Sequence, residues 1–217
     1  MEPARRPRQR LPWRLVLVGC GAFLALLAEG GASDWSAKLV RDELGGSAAL
    51  AALAYAAFCV GMAGGRLIAD RLYSRWGSAG LLRRSGTLAA LTLSVSLAVG
   101  TSASAIAGFG AFGLGLSGVV PTLFRAGGSQ PGVSTGPGLA VVSSLGYFGL
   151  LVGPPIIGGL AQVTSLRVAC VLLVLAGMLV VALAPYAATG RAAAAPDASG
   201  QNEQRPDEEV RSLALEN

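Results

Sequence analysis

The 217-residue chain has no histidine. That excludes imidazole acid–base catalysis, Ser-His-Asp triads and imidazole-ligated metals. Lysine occurs once, at Lys38, so sixteen of the 17 Lys and Arg residues are arginine. With Ala and Gly so abundant, this reads as the codon usage of a GC-rich bacterial genome. Lys38 follows no Gly-x-x-x-x-Gly pattern, so neither a phosphate-cradling loop nor direct ATP use is expected. The three cysteines, Cys20, Cys59 and Cys170, lie far apart inside apolar runs. They have neither zinc-type spacing nor a disulfide framework, and read as small buried hydrophobes. Charge is scarce as well, at 13% of residues against about 25% in a soluble domain. Hydrophobic residues make up 53% and the mean hydropathy is +0.58. An ordinary soluble domain is therefore ruled out.

At ~20 residues per membrane-crossing helix, the length suits about six spans. The expected fold is all-α, a polytopic membrane protein with six transmembrane helices. Residues 1–10 form a basic cytoplasmic tail, 11–188 the six-helix bundle and 189–217 a disordered cytoplasmic tail. The apolar run over 13–32 is too long for the core of a signal peptide. Acidic residues (Asp34, Asp42, Glu43) follow it, where small uncharged ones are expected. It reads as a first span. The others are expected at about 47–68, 85–101, 105–124, 139–161 and 167–187. Between them fall an arginine-bearing loop over 69–84 and a Gly/Pro/Ser loop over 125–138. Gly153-Pro154-Pro155 interrupts the fifth span, where missing amide donors and ring clashes predict a kink.

Six spans put both termini on one side. That side collects fourteen of the 17 basic residues, leaving Lys38, Arg41 and Arg167 opposite. The positive-inside rule makes it the cytoplasmic side of a bacterial inner membrane. Asp34 and Trp35 then fall at the outer interface. Gly19-Cys20-Gly21-Ala22-Phe23 in the first span matches Gly108-Phe109-Gly110-Ala111-Phe112 in the fourth, and Leu27 matches Leu116. The two spans enter from opposite sides, the mark of a 3+3 inverted repeat as found in many secondary transporters.

The stretch Gly65-Arg66-Leu67-Ile68-Ala69-Asp70-Arg71-Leu72-Tyr73-Ser74-Arg75-Trp76-Gly77 resembles the cytoplasmic loop signature of the major facilitator superfamily. The version is that of the second half, between the eighth and ninth helices. It departs from the first-half pattern, since Asp70 comes one residue later after Gly65 and no Gly separates Arg71 from Arg75. Gly146-Tyr147-Phe148-Gly149 through Gly158 resembles the eleventh helix of that superfamily. Glu29-Gly30-Gly31 with Asp34-Trp35-Ser36 is similar to the seventh helix of sugar-permease-like members. The resemblance covers residues 11–188. It implies the C-terminal six-helix half of a twelve-helix transporter, with the solute path between two bundles. A truncated product, an internal start and a pair of assembling halves all fit.

Glu29 is the most informative residue. A carboxylate inside a span is costly and usually faces a cavity or a partner. Desolvation disfavours the charged form of a carboxyl, as a proton-coupling acid requires. Glu29 reads either as a proton-coupling or solute-contacting acid, or as one that reaches the outer interface and is hydrated there. Asp34 and Tyr147 are further candidates for transport or proton coupling, though Tyr147 and Phe148 also suit plain packing. For Gly65, Arg66, Asp70, Arg71 and Arg75 the resemblance implies a gating loop. Asp70 would pair with a neighbouring helix end or basic group and hold one alternating-access state closed. The other reading of this segment is a solvated loop.

The expected function is transmembrane transport of a small-molecule solute by alternating access, with proton coupling as the expected energy source. The alternative is a transport-inactive six-helix scaffold or truncated remnant. The expected partners are the solute, the lipid bilayer and a second six-helix bundle, with no nucleic acid, no cofactor and no metal. Basic residues 5–14 suit anionic lipid headgroups. Gly132-Val133-Ser134-Thr135-Gly136 matches the letters of a nucleophile elbow. It lacks both the strand before it and a histidine, so no enzyme is expected.

Overall fold

The computed structural model describes residues 12–188. The basic tail at 1–10 and the tail expected to be disordered at 189–217 lie outside the described residues. What is described is all-helical, and apolar runs account for most of it. Helix α1 covers Trp13–Lys38 and ends in a π-helical turn, Leu39–Glu43. Helix α2 covers Ala48–Val99, α3 Ser102–Leu116, α4 Val119–Gly128 and α5 Thr135–Val163. The last stretch is α6, Leu166–Ala169, then α7, Val171–Leu183, and a 3-10 turn, Ala184–Ala187. Five of these helical stretches are long and apolar enough to cross a membrane: Trp13–Glu43, Ala48–Val99, Ser102–Gly128, Thr135–Val163 and Leu166–Ala187.

The arginine-bearing segment 69–84 is not a loop. Helix α2 runs through it, and the one non-helical residue inside is Gly77, at φ 66° and ψ 177°. That region of backbone space is essentially reserved for glycine. Gly77 therefore divides α2 into a limb over 48–76 and a limb over 78–99. Charged residues had marked where the apolar stretch ends, and the helix simply continues past that point. The first helix is also longer than its apolar run, so Asp34 and Trp35 sit inside α1. Nor does Gly153-Pro154-Pro155 interrupt the fifth span, because α5 continues through both prolines. Of the cysteines only Cys170 is buried, whereas Cys59 is exposed.

Local chemistry accounts for the joints. The Ser47 hydroxyl accepts from the Leu50 amide and Ser165 from Val168, each capping a helix start. Thr101 and Ser104 form a reciprocal capping box. Gly100, at φ 67°, terminates α2 in the left-handed conformation. Pro121 sits in the first turn of α4, where its missing amide hydrogen is not needed.

The described core falls into two apolar clusters. One includes Leu39, Phe58, Phe109, Phe112 and Leu173, and the other Leu15, Val18, Leu82, Leu123 and Val180. At the end where 43–46, 97–102 and 164–167 meet, polar groups cross-link distant parts of the chain. The Leu166 amide donates to Glu43 Oε1 at 2.7 Å, and Arg167 donates to the carbonyls of Leu97 and Ala98 at 2.6 and 2.8 Å. An acid thus caps a helix start and a guanidinium a helix end, as helix dipoles favour.

Two helix pairs approach closely through glycine. A methyl group added at Gly61 or Gly65 would press on the carbonyl oxygens of Gly110 and Leu114. One added at Gly149 or Gly153 would press on those of Phe23 and Leu27. In both pairs the glycines are four apart and so are the carbonyls they meet. This is the small-xxx-small packing of membrane helices.

Candidate functional site

The charged residues inside the apolar helices set the site. Glu29 stands about 24 Å along α1 from Trp13, and Arg66 about 27 Å along α2 from Ala48, at ~1.5 Å per residue. Both are well away from their helix ends. Arg66 Nη2 donates to Glu29 Oε1 at 3.4 Å. The two side chains are unequally open, Arg66 at 57% and Glu29 at 23% exposure. Glu29 is flanked by Ala25, Ala28, Gly30 and Ala32, all buried, so it leans out of a small-residue surface. Arg66 lies four residues before Asp70, in the segment for which the resemblance implies a gating loop. Its observed partner is instead 37 residues away on another helix.

On α2, residues Tyr55, Cys59, Ala63 and Arg66 recur every three or four positions, and all four are exposed. They form one stripe beside α1. Asp34, also exposed, lies one to two turns beyond Glu29 along α1. It borders a cleft of about 550 Å³ with Trp35, Leu151, Pro155, Gly158 and Gln162. The Trp35 indole donates to the Pro154 carbonyl at 3.1 Å. Its ring lies against Gly158, where a side chain would collide with it. The Gly153-Pro154-Pro155 segment is therefore a docking place for α1. Tyr147 is 60% exposed and packs edge-on against Phe124, with ring centroids 6.3 Å apart.

At the other end of this limb of α2, Asp70 accepts from Arg125 Nη2 at 2.9 Å. The Arg125 guanidinium also lies 5.0 Å from the centre of the Tyr73 ring. This joins α2 to α4 through two largely exposed side chains. Neither Arg125 nor Tyr73 was singled out by the sequence; the signal was a lone cation at the end of an apolar run. Arg71 and Arg75 are exposed and make no ion pair among the described residues. Gly65 is buried against α3 rather than part of a loop. Among the described residues, no group of three or more His, Cys, Asp or Glu is placed to hold a metal ion.

No family model matches the chain. It is 37% identical over 163 residues to an uncharacterised MFS-type transporter of Yersinia pestis. It is 34% identical over 173 residues to the membrane protein MosC of Rhizobium meliloti. With the uncharacterised transporter y4wD of Sinorhizobium fredii the identity is 36% over 171 residues. The matches take in 74%, 77% and 79% of this chain, but 42%, 41% and 45% of the relatives. The chain therefore spans somewhat under half the length of the curated relatives it matches. A crystal structure of the peptide transporter POT with alafosfalin superimposes with a TM-score of 0.72 at 16% identity. That match covers 98% of this chain and 47% of the other, and it shows a shared fold. The chain is thus a multi-pass membrane protein related to MFS-type transporters, with the fold of the major facilitator superfamily over about half of such a transporter's length.

Proposed function

We propose that the chain is the second six-span bundle of a major facilitator secondary transporter and moves a small solute by alternating access, driven by protons. In this reading α2 crosses twice. Its 52 residues would reach about 78 Å if straight, more than twice a ~30 Å hydrocarbon core. Gly77 supplies the reversal. The 3+3 inverted repeat is supported by the two glycine-mediated pairs. The first span packs on the fifth as the fourth packs on the second, which is the exchange an inverted repeat generates. By this packing Phe23 corresponds to Gly110 and Leu27 to Leu114, two residues away from the register of the Gly-Ala-Phe match.

The observation that carries the functional reading is the Glu29–Arg66 pair. Two ionic groups partway along apolar spans cannot face hydrocarbon without a large cost. Their surface therefore faces a water-filled path, completed by a second six-helix bundle. Glu29 is the proton-coupling acid, and Asp34 and Tyr147 line the path. The Asp70–Arg125 pair is the cytoplasmic latch of one state, with Arg71 and Arg75 as flanking inside charges. Both termini are cytoplasmic, in a bacterial inner membrane.

The test uses proteoliposomes holding a pH-sensitive dye, with the chain and its completing bundle reconstituted together. Solute-dependent proton movement in the native form and its loss in Glu29→Gln support the reading. Proton movement unchanged by that substitution removes Glu29 from coupling. No solute-dependent flux of any kind favours the transport-inactive scaffold. Topology is checked separately by labelling single cysteines at exposed Ser47 and Ser74 in a background lacking Cys20, Cys59 and Cys170. Labelling from outside at 47 and from inside at 74 is expected.

A further inference from the structure

We infer that Arg66 is an anion-recognising group of the solute path, and that Glu29 is its resident counter-ion, holding the place a carboxylate-class group of the solute takes. This rests on the reading of the α1–α2 seam as part of a solute path, and it specifies the chemistry that path accepts. Three observations carry it.

First, the pair is under-used. A guanidinium has five N–H donors in a planar fork suited to bidentate carboxylates. Arg66 shows a single contact to Glu29, at 3.4 Å through Nη2. Its other donors have no hydrogen-bond partner among the described residues.

Second, the two members are unequally presented. Arg66 is more than twice as open as Glu29, so an incoming solute meets the cation first. Arginine is also less strongly hydrated than lysine, which suits a site where charge is repeatedly stripped of water.

Third, no second carboxylate competes for the guanidinium. Along the exposed stripe Cys59 and Tyr55 stand about 10 and 16 Å from Arg66, and neither is a carboxylate. The other carboxylate on this seam, Asp34, is five residues from Glu29. That is about 7.5 Å along the helix, beyond the reach of a second contact to the same guanidinium.

The test is binding to the full chain in dodecyl maltoside micelles, read as ligand-dependent thermal stabilisation. The probes are succinate, benzoate and inorganic phosphate, with choline and glucose as cationic and neutral controls. The expected result is saturable stabilisation by at least one anion and by neither control. Arg66→Gln should weaken that binding about tenfold or more, as loss of a charge-assisted hydrogen bond does. Arg66→Lys should retain part of it. Glu29→Gln should tighten binding, because the competing carboxylate is gone, and it keeps the test informative if Arg66→Gln fails to fold. Stabilisation by choline alone, anion binding unchanged in Arg66→Gln, weaker anion binding in Glu29→Gln, or no response to any of the three anions would each overturn the assignment. Anion binding that survives an absence of solute-driven proton flux would sink the transport reading and leave this one standing. Coupled flux without anion binding would do the reverse.

Discussion

The molecule holds two inter-helix ion pairs whose geometry and setting point in opposite directions. Asp70–Arg125 is the shorter, at 2.9 Å, but its side chains are 81% and 52% exposed. Glu29–Arg66 is longer, at 3.4 Å, with the acid only 23% exposed. Distance alone ranks the first pair stronger. Water and salt screen exposed charges, so such pairs contribute ~0–1 kcal/mol. Breaking a fully buried pair costs ~3–5 kcal/mol, because a desolvated charge loses its partner. The difference teaches that setting outweighs length. The pair at the helix ends opens cheaply, as the proposed latch requires, whereas the mid-span pair is held unless something replaces a member of it.

The sharpest way to break this comparison is functional. In a complete transporter, Glu29→Gln should abolish accumulation of solute against its gradient, while Asp70→Asn should slow flux several-fold and leave accumulation possible. Equal effects in a proton-gradient uptake assay would erase the distinction between coupling and latching.

Stability comes next. Arg66→Leu leaves Glu29 unpaired and partly desolvated, and should cost about 2 kcal/mol, between the exposed and buried limits. Arg125→Leu should cost ~1 kcal/mol or less. Unfolding of the two variants in micelles decides, and a larger loss for Arg125→Leu would reverse the ranking.

A third variant asks what secures the latch end instead. Gly77→Ala forces a Cβ into glycine-only backbone space and should cost ~1–3 kcal/mol. That exceeds the loss expected from Arg125→Leu, if the backbone turn governs this end. Neutrality in the same unfolding assay would show that the turn relaxes.

The smallest expected effect is that of salt. Raising ionic strength from about 0.05 to 0.5 M shortens the screening length to a few ångströms. The stability difference between native and Arg125→Leu should then vanish, while that for Arg66→Leu persists.

Much of the helical content was legible from apolar runs, since a stretch such as 166–187 has no alternative in lipid. Helix ends were not. Asp34, Lys38 and Arg71 mark where the apolar surface stops, but backbone hydrogen bonding continues through them. Sequence therefore reported the membrane boundary rather than the helix boundary. The carboxylates of the candidate site, Glu29 and Asp70, stood out because charge in or beside a span is rare. Their partners did not. Arg66 lies closer in sequence to Asp70 than to Glu29, yet pairs with Glu29, because pairing between helices depends on packing that no local spacing encodes. The glycine pairs at 61 and 65 and at 149 and 153 were hidden in a composition where glycine is everywhere.

The cross-capping at Glu43 and Arg167 has a consequence for biogenesis. Glu43 belongs to the first helical stretch described and Arg167 to the last, and the groups they cap are the Leu166 amide and the carbonyls of Leu97 and Ala98. Until residues 166 and 167 arrive, Glu43 has no helix start to cap and the end of α2 keeps bare carbonyls. Arrival of the stretch that begins at Leu166 therefore closes this rim, and a nascent chain halted before it leaves these groups without their partners.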